Sequence, residues 1–541
     1  MAGKYSRTDR FDPILMSAPA FDVVVVGMGP VGTLSANLLG TCGIKTLIID
    51  KESEIYSLPR AIAFDHDAMR ILQSCGLTGA IETFIAPYAP SEYHGVGGKV
   101  ISRFDMQDPP YPLGWAPNYV FRQPPFEAAL RAGLRRFDCV EERTPCELLE
   151  FEQKDSCVEI LIKNGQKSEL TTASYLLGAD GGASTVRKIS GTGMTSLDFD
   201  EPWLVVDVLC SEAVLRRLPS TIIQYCNPSR PATYVIGTEN HRRWEIRLLE
   251  GEDPRTFEDE SAVWALLTPW LKPDDGKLWR WATYEFHAVI ANTWRDRSAL
   301  LLGDAAHMTP PFMAQGMTQG FRDAANLVWK LERVLGGQAT DSLLDTYMEE
   351  RVPHVRATTE IAKDLGRVIC ECDLMAAQDR DARMLNEFGD PPIVRLRQSL
   401  IPHLINGLTL QGTSGAGTVL PQPFVQEGSG VVRFDDLVGP GPVLVLRSSL
   451  NASELTSSTI ELCEEFLLKR VYLRDDDSVV PENIIGVVEK NGLLEKWFSD
   501  HNCVAALVRP DHYVYGTATT ASQIEKLCVA WSSSRACSSN V

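Results

Sequence analysis

Nowhere do the 541 residues string together the roughly eighteen uninterrupted apolar positions that a helix needs to cross a bilayer. The first twenty residues mix polar and apolar side chains without the apolar block of an export signal. Neither export nor membrane spanning is therefore expected, and the reading is cytoplasmic. Basic charge is also short, since 52 Lys and Arg stand against 71 Asp and Glu for a formal charge of -19, with no Lys/Arg run. Nucleic acid and anionic membrane surfaces are poor partners for such a chain. The thirteen cysteines are odd in number and scattered, and the tightest pair, Cys370 and Cys372, lacks the CxxC spacing of a zinc or dithiol site. Reduced thiols and no metal are the expectation. Repeats and low-complexity tracts are missing as well.

What is present is enough chain for two or three domains and one highly organised stretch at residues 21–50. There the β-branched run Val23 to Val26 reaches Gly27, and Gly29 and Gly32 complete a GxGxxG where a 3.6-period apolar pattern begins. Each glycine has a mechanical role: Gly27 permits the turn, Gly29 lets a pyrophosphate approach the backbone, and Gly32 lets the helix lie close to the strand. The helix start offers free N–H groups to phosphate. A second strand, residues 45–49, ends on Asp50, the acid expected to accept hydrogen bonds from an adenosine ribose. An ordinary Gly-rich turn is the plain alternative.

Further along, Arg60 precedes a helical pattern, and Gln123 precedes a second helix that carries Pro in its first turn. A buried-looking strand runs into Asp180, Gly181 and Gly182, then a helix with Ser184 and Arg187 on nearby turns. Residues 203–291 change texture to short strands separated by Pro, Asn and Gly turns. Tyr225, Cys226 and Tyr234 lie in this region. By strand parity, Trp244, Ile246 and Leu248 form an apolar face and Arg243, Glu245 and Arg247 a polar one. A strand, a Pro-containing loop and a long amphipathic helix from Gly316 follow, and helical patterns continue to about residue 400. Residues 412–430 are rich in Gly, Ser, Pro and Gln and read as a linker before a small α/β unit.

Three motifs thus stand in order: GMGPVG at 27–32, ADGGASTVR at 179–187, and GDAAHMTPP followed by QG within 303–316. Together they resemble the class A FAD-dependent aromatic hydroxylases, the family with the p-hydroxybenzoate hydroxylase fold. PRAIAFDHDAMRILQSCGL, NPSRP and HRRWE look closest to its 3-(3-hydroxyphenyl)propionate hydroxylase and phenol hydroxylase branch. The tail resembles the thioredoxin-like C-terminal domain of phenol hydroxylases at LVRPDHYVY but has no CxxC, so its role is expected to be structural or oligomeric, a homodimer included.

The resemblance implies an α/β fold: a Rossmann-like FAD-binding domain, an interleaved strand-rich substrate domain, and the thioredoxin-like tail. The expected division is a loose arm at 1–20, the FAD-binding domain at 21–83, 121–190 and 292–400, the substrate domain at 84–120 and 191–291, a linker at 401–424, and the tail at 425–541. It further implies FAD held by Gly27, Gly29, Gly32, Asp50, Arg60, Gln123, Asp180, Arg187, Gly303, Asp304, Pro311 and Gly316. Asp304 would accept hydrogen bonds from the ribityl chain, its alternative being a helix cap. Asp180 and Arg187 would serve the pyrophosphate and nicotinamide delivery, their alternative being a structural ion pair. Tyr225, Cys226 and Tyr234 are candidates for the substrate pocket, and the phenol-activating base is left unassigned. His307 reads more readily as packing behind the flavin loop than as catalytic. The implied reaction is hydroxylation of a phenolic ring with NADPH or NADH and dioxygen through a C4a-hydroperoxyflavin. Alternatives are a Baeyer–Villiger or epoxidising relative on the same scaffold, and a flavin-binding protein without turnover.

Overall fold

A computed structural model describes residues 18–450, 455–474 and 483–533. The expected arm lies outside the described residues up to position 17. The Val-rich strand Phe21–Val26 is buried along almost its whole length, as a strand covered on both faces must be. It sits at the centre of five parallel strands in the order Val140–Arg143, Thr46–Ile49, Phe21–Val26, Lys167–Gly178, Ala299–Leu301. Cys146–Gln153 and Val158–Asn164 extend this sheet as an antiparallel meander. The helices Pro30–Thr41 and Gly316–Leu335 pack together closely, because Gly320 leaves room where a Cβ would stand 2.4 Å from Val31.

The second layer is a nine-stranded sheet running from His307–Met308 through Gly276–Ala291, Met194–Cys210, His241–Arg247, Ala232–Ile236 and Ile222–Tyr225 to Ser91–His94, Val100–Asp105 and Val394–Leu396. Its membership cuts across the simple division of the chain. Residues 85–87 pair instead with Asn118–Phe121, whose other edge carries Ala63–Asp65, in a separate three-stranded sheet. The segment Val394–Leu396, read as helical from sequence, is a strand paired with residues 103–105. One face of the nine-stranded sheet carries Leu204, Val206, Tyr234, Trp244 and Ile246 against Val263, Trp264 and Leu267 of the helix Glu260–Leu267. The other face is turned to the domain of the parallel sheet.

The tail forms a five-stranded mixed sheet with Val443–Leu446 at its centre, parallel to Lys469–Leu473 and antiparallel to Ala505–Val508. The Gly/Pro-rich stretch before it is a packed strap. Leu404, Leu408, Leu420 and Gln422 are buried, and backbone hydrogen bonds join Leu410 N to Tyr515 O at 2.6 Å and Leu420 N to His512 O at 3.0 Å. The tail is also fastened to the core by charge. Glu350 accepts from Arg509 at 2.7 Å and from Lys330 at 2.9 Å, and Arg509 also donates to Asp511, all fully or almost fully buried. Trp329 stacks on Trp531 beside this cluster. Burial drives the Lys330 ammonium down to about 8 despite Glu350; burial alone would raise Glu350, but Arg509 and Lys330 hold it at about 2.

Candidate active site

The three motifs meet at the C-terminal ends of the parallel strands, where open α/β sheets bind their ligands. Gly27 takes φ +103, and a Cβ there would meet the Ala179 carbonyl at 2.4 Å, so the first glycine is needed both for conformation and for contact with the second motif. At Gly32 a Cβ would stand 1.9 Å from the Gly27 carbonyl. Gly29 is different: its backbone is ordinary, at φ -69, and nothing lies within 4 Å of where its Cβ would be. The space beside it belongs to the recess. Asp50 reaches back into this turn, accepting from Met28 N at 2.6 Å and Glu52 N at 2.9 Å, with lone pairs to spare.

The third motif forms the opposite wall. Gly303, at φ +57, lies against Val31, and its N–H is held by Asp323 at 3.0 Å. Asp323 also takes His307 Nε2 at 2.7 Å and Arg351 Nε at 2.8 Å, so His307 is a buried brace stacked on Trp294. Asp304 accepts no hydrogen bond among the described residues. It is exposed at the floor of the recess, yet protein surrounds it closely enough for burial to push its carboxyl above the ordinary value, with His307 and Arg60 pulling the other way. Pro311 opens the turn Pro311–Met313, and Gly316 begins the long helix with nothing within 4 Å of its would-be Cβ.

The remaining candidates act on these walls in ways the motifs do not reveal. Asp180 and Arg187 form no ion pair. Asp180 caps the helix Thr185–Ile189 through Thr185 N at 2.6 Å and takes the Ser184 hydroxyl at 2.5 Å, while Arg187 donates to the carbonyls of Gly182 and Ala305. Gln123 is engaged at both ends of its amide: its oxygen accepts from Arg60 N and Ala61 N, and its nitrogen donates to Glu127. It thereby fixes the loop that carries the exposed Arg60, whose guanidinium lies over the Tyr56 ring at 4.5 Å. Tyr225 and Tyr234 lie on the sheet face packed against Trp270 and Trp244, away from the domain of the parallel sheet. Cys226 faces inward but is buried, with its thiol on the Gln224 carbonyl and pushed up by burial to about 12. The pairing register puts other side chains on the inner face, namely Trp203, Asp207, Arg243 and Glu245.

An open space beside Gly29 and Gly316, two helix starts, and an unpartnered carboxylate on the floor are the provisions a dinucleotide needs. The family model for the FAD binding domain matches residues 20–362, and that for the HcaD C-terminal domain matches 417–533. The chain is an FAD-dependent aromatic hydroxylase. It is 35% identical over 523 residues to a probable NADH-specific resorcinol 4-hydroxylase of Rhodococcus jostii, covering 94% of both chains. It is 30% identical over 520 residues to a 3-(3-hydroxy-phenyl)propionate/3-hydroxycinnamic acid hydroxylase of Burkholderia cenocepacia, covering 91% of this chain and 93% of the relative. Among solved structures, aklavinone-11 hydroxylase with FAD and aklavinone aligns with a TM-score of 0.77 at 21% identity, over 96% of this chain and all of that one. The hydroxylase thus uses FAD, a reduced nicotinamide and dioxygen on a phenolic ring. Among the described residues no helix is long and apolar enough to cross a membrane.

Proposed function

We propose that the substrate is a small hydroxylated benzene of the resorcinol or hydroxyphenylpropionate type and that NADH is the preferred reductant. The observation carrying this reading is the likeness across nearly the whole chain to the Rhodococcus resorcinol hydroxylase. The inner face of the substrate sheet supports it, because Arg243, Glu245, Thr233 and Gln224 put buried polar groups on that face, suited to a ring bearing hydroxyls. In this reading Gly29 and the adjoining helix start receive the FAD pyrophosphate, Asp50 the adenosine ribose, and Asp304 the ribityl hydroxyls. Bound FAD supplies the oxygen-transfer chemistry. The chain binds and orients the ring, and the inner sheet face shields it from water.

The thioredoxin-like reading of the tail draws support from its strand order, in which three parallel strands, Ile485–Val487, Lys469–Leu473 and Val443–Leu446, are followed by Ala505–Val508 and Val514–Ala518, each antiparallel to the strand before it. A cytoplasmic setting is in keeping with the twelve described cysteines, all free thiols. The deciding experiment compares resorcinol, 3-(3-hydroxyphenyl)propionate and larger polycyclic phenols for stimulation of NADH and NADPH oxidation, with mass-spectrometric detection of one added oxygen. Preference for a polycyclic phenol, or for NADPH, would overturn the corresponding half of the proposal.

A further inference from the structure

Two of the contacts between the inner face of the nine-stranded sheet and the FAD-binding domain bracket one side chain. At one, Arg243 Nη1 donates to the Arg60 carbonyl at 2.7 Å. At the other, the Trp203 ring packs edge-on against Phe312 of the proline turn, with centroids 5.7 Å apart. Register fixes what lies between. Trp203 is opposite Arg247, Val205 opposite Glu245, and Asp207 opposite Arg243, so Glu245 stands on the same face midway between the two contacts. The register therefore turns its side chain to the same side of the sheet as the contacts with the Arg60 loop and the Phe312 turn.

Glu245 is also left without a hydrogen bond, its one ion-pair partner lying at the far limit of contact. Its side chain is 11% exposed, and no described group donates a hydrogen bond to it. The nearest cation, Arg243, is held elsewhere: Nε and Nη2 donate to Asp207 at 2.7 and 3.1 Å and Nη1 to the Arg60 carbonyl, and Glu245 stands 3.9 Å from Nη1. Asp207, on the neighbouring strand, also holds His241 at 2.7 Å and faces Arg280 at 3.5 Å. The strand on the other side presents Thr233, whose hydroxyl is given to Gln224. The Arg60 guanidinium is turned onto Tyr56. A nearly buried carboxylate without donors is costly, and such groups collect at functional sites.

We propose that Glu245 is the catalytic base that receives the proton of the substrate's phenolic hydroxyl. The inference rests on the phenol hydroxylase reading. The substrate O–H bond breaks, its electron pair stays on the phenolic oxygen, and the proton passes to a Glu245 oxygen. The ring is thereby made electron-rich for oxygen transfer. As the oxygenated ring carbon loses its proton to solvent and aromaticity returns, the carboxyl hands its proton back to the phenolic oxygen. Burial, aided by the Asp207 charge and opposed by Arg243, raises the Glu245 carboxyl to about 7, which suits exchange with a phenol near neutral pH.

The test uses the FAD-loaded enzyme with resorcinol, or the fastest phenol of the substrate screen. Glu245→Gln is expected to keep its FAD content and to lose about 10²- to 10⁴-fold in the rate of product formation. The wild-type rate should fall on the acid side of a limb near pH 7, a limb absent in Glu245→Gln and partly kept in Glu245→Asp. Infrared difference spectra without turnover should give a carboxyl C=O band that titrates near pH 7 and is missing in Glu245→Gln. Glu245→Gln with an unchanged rate and limb overturns the assignment and leaves the hydroxylase reading intact. A wild-type enzyme that hydroxylates no phenol overturns both, whatever the infrared titration gives.

Discussion

Arg187 links the second motif to the third, its guanidinium donating to the Gly182 carbonyl at 2.5 Å and to the Ala305 carbonyl at 2.8 Å. Two loops more than a hundred residues apart in sequence are thus held by one side chain. On the far side Asp323, from the long helix, grips Gly303 N and His307 of the third motif together. The recess is rigid because its walls are tied to each other rather than to solvent-exposed loops.

Gly29→Val should give folded, colourless protein. Its backbone at φ -69 accepts a branched residue and no protein atom lies within 4 Å of the new Cβ, so the side chain occupies only the space a pyrophosphate would use. Gly32→Ala should instead fail to fold well, because its Cβ would stand 1.9 Å from the Gly27 carbonyl. Flavin absorbance and circular dichroism on both variants separate the two effects. Undiminished flavin in Gly29→Val would refute this use of the turn.

Asp304→Asn is expected to weaken FAD binding by up to about 1.5–3 kcal/mol, the scale of a hydrogen bond to a charged acceptor. The apoprotein should not melt earlier. Burial raises the Asp304 carboxyl in the fold, so the folded form binds its proton more tightly than the unfolded chain. The sign follows: this group favours folding below its unfolded value and loses that advantage as pH rises through the folded one. Removing its charge therefore relieves the apoprotein at neutral pH. Flavin fluorescence titration and apoprotein melting curves are the measurements, and an early-melting apoprotein would point to a structural role.

Arg60→Ala should slow anaerobic flavin reduction by NADH and leave later oxygen transfer nearly unchanged once the flavin is reduced chemically. The loop keeps its shape, because Gln123 holds the Arg60 and Ala61 backbone rather than the guanidinium. A guanidinium suits the pyrophosphate of a nicotinamide cofactor. Stopped-flow absorbance resolves the two half-reactions, and an unchanged reduction rate at subsaturating NADH would exclude the role.

Glu350→Gln should destabilise the protein at neutral pH by about 3–5 kcal/mol, since Lys330 and Arg509 lose a buried counter-charge. Glu350 is held at about 2 in the fold against an ordinary value of 4.5. Its contribution is present above 4.5 and is lost as pH falls towards about 2, so the gap between variant and wild type should close over that interval. Denaturant titrations at several pH values measure it. A gap that stays constant would mean that the cluster does not hold the charge.

Local chemistry was readable in the chain and distant pairing was not. The glycine turn declared itself because Gly27, Gly29 and Gly32 act on neighbours within a few residues of themselves. The polar parity of Arg243, Glu245 and Arg247 was also plain, since alternation is a property of one strand. Which face meets the flavin domain was not, because that depends on pairing with residues 203–207; Tyr225 and Tyr234 consequently fell on the other side. The 401–424 stretch has the composition of a flexible linker, but its backbone partners lie about a hundred residues away at His512 and Tyr515. Asp323 carries no motif at all. Its position seven residues into the long helix from Gly316 was the one available hint.

The helix Gly316–Leu335 starts at the recess and carries Asn326, Trp329 and Lys330 into the tail contact. At 20 residues it is about 30 Å long, and it acts as a strut shared by two neighbourhoods. A chain stopped near residue 415 would bare Trp329 and Lys330 at one end of the strut and leave its start at the recess in place, so the yellow colour should outlast the loss of stability.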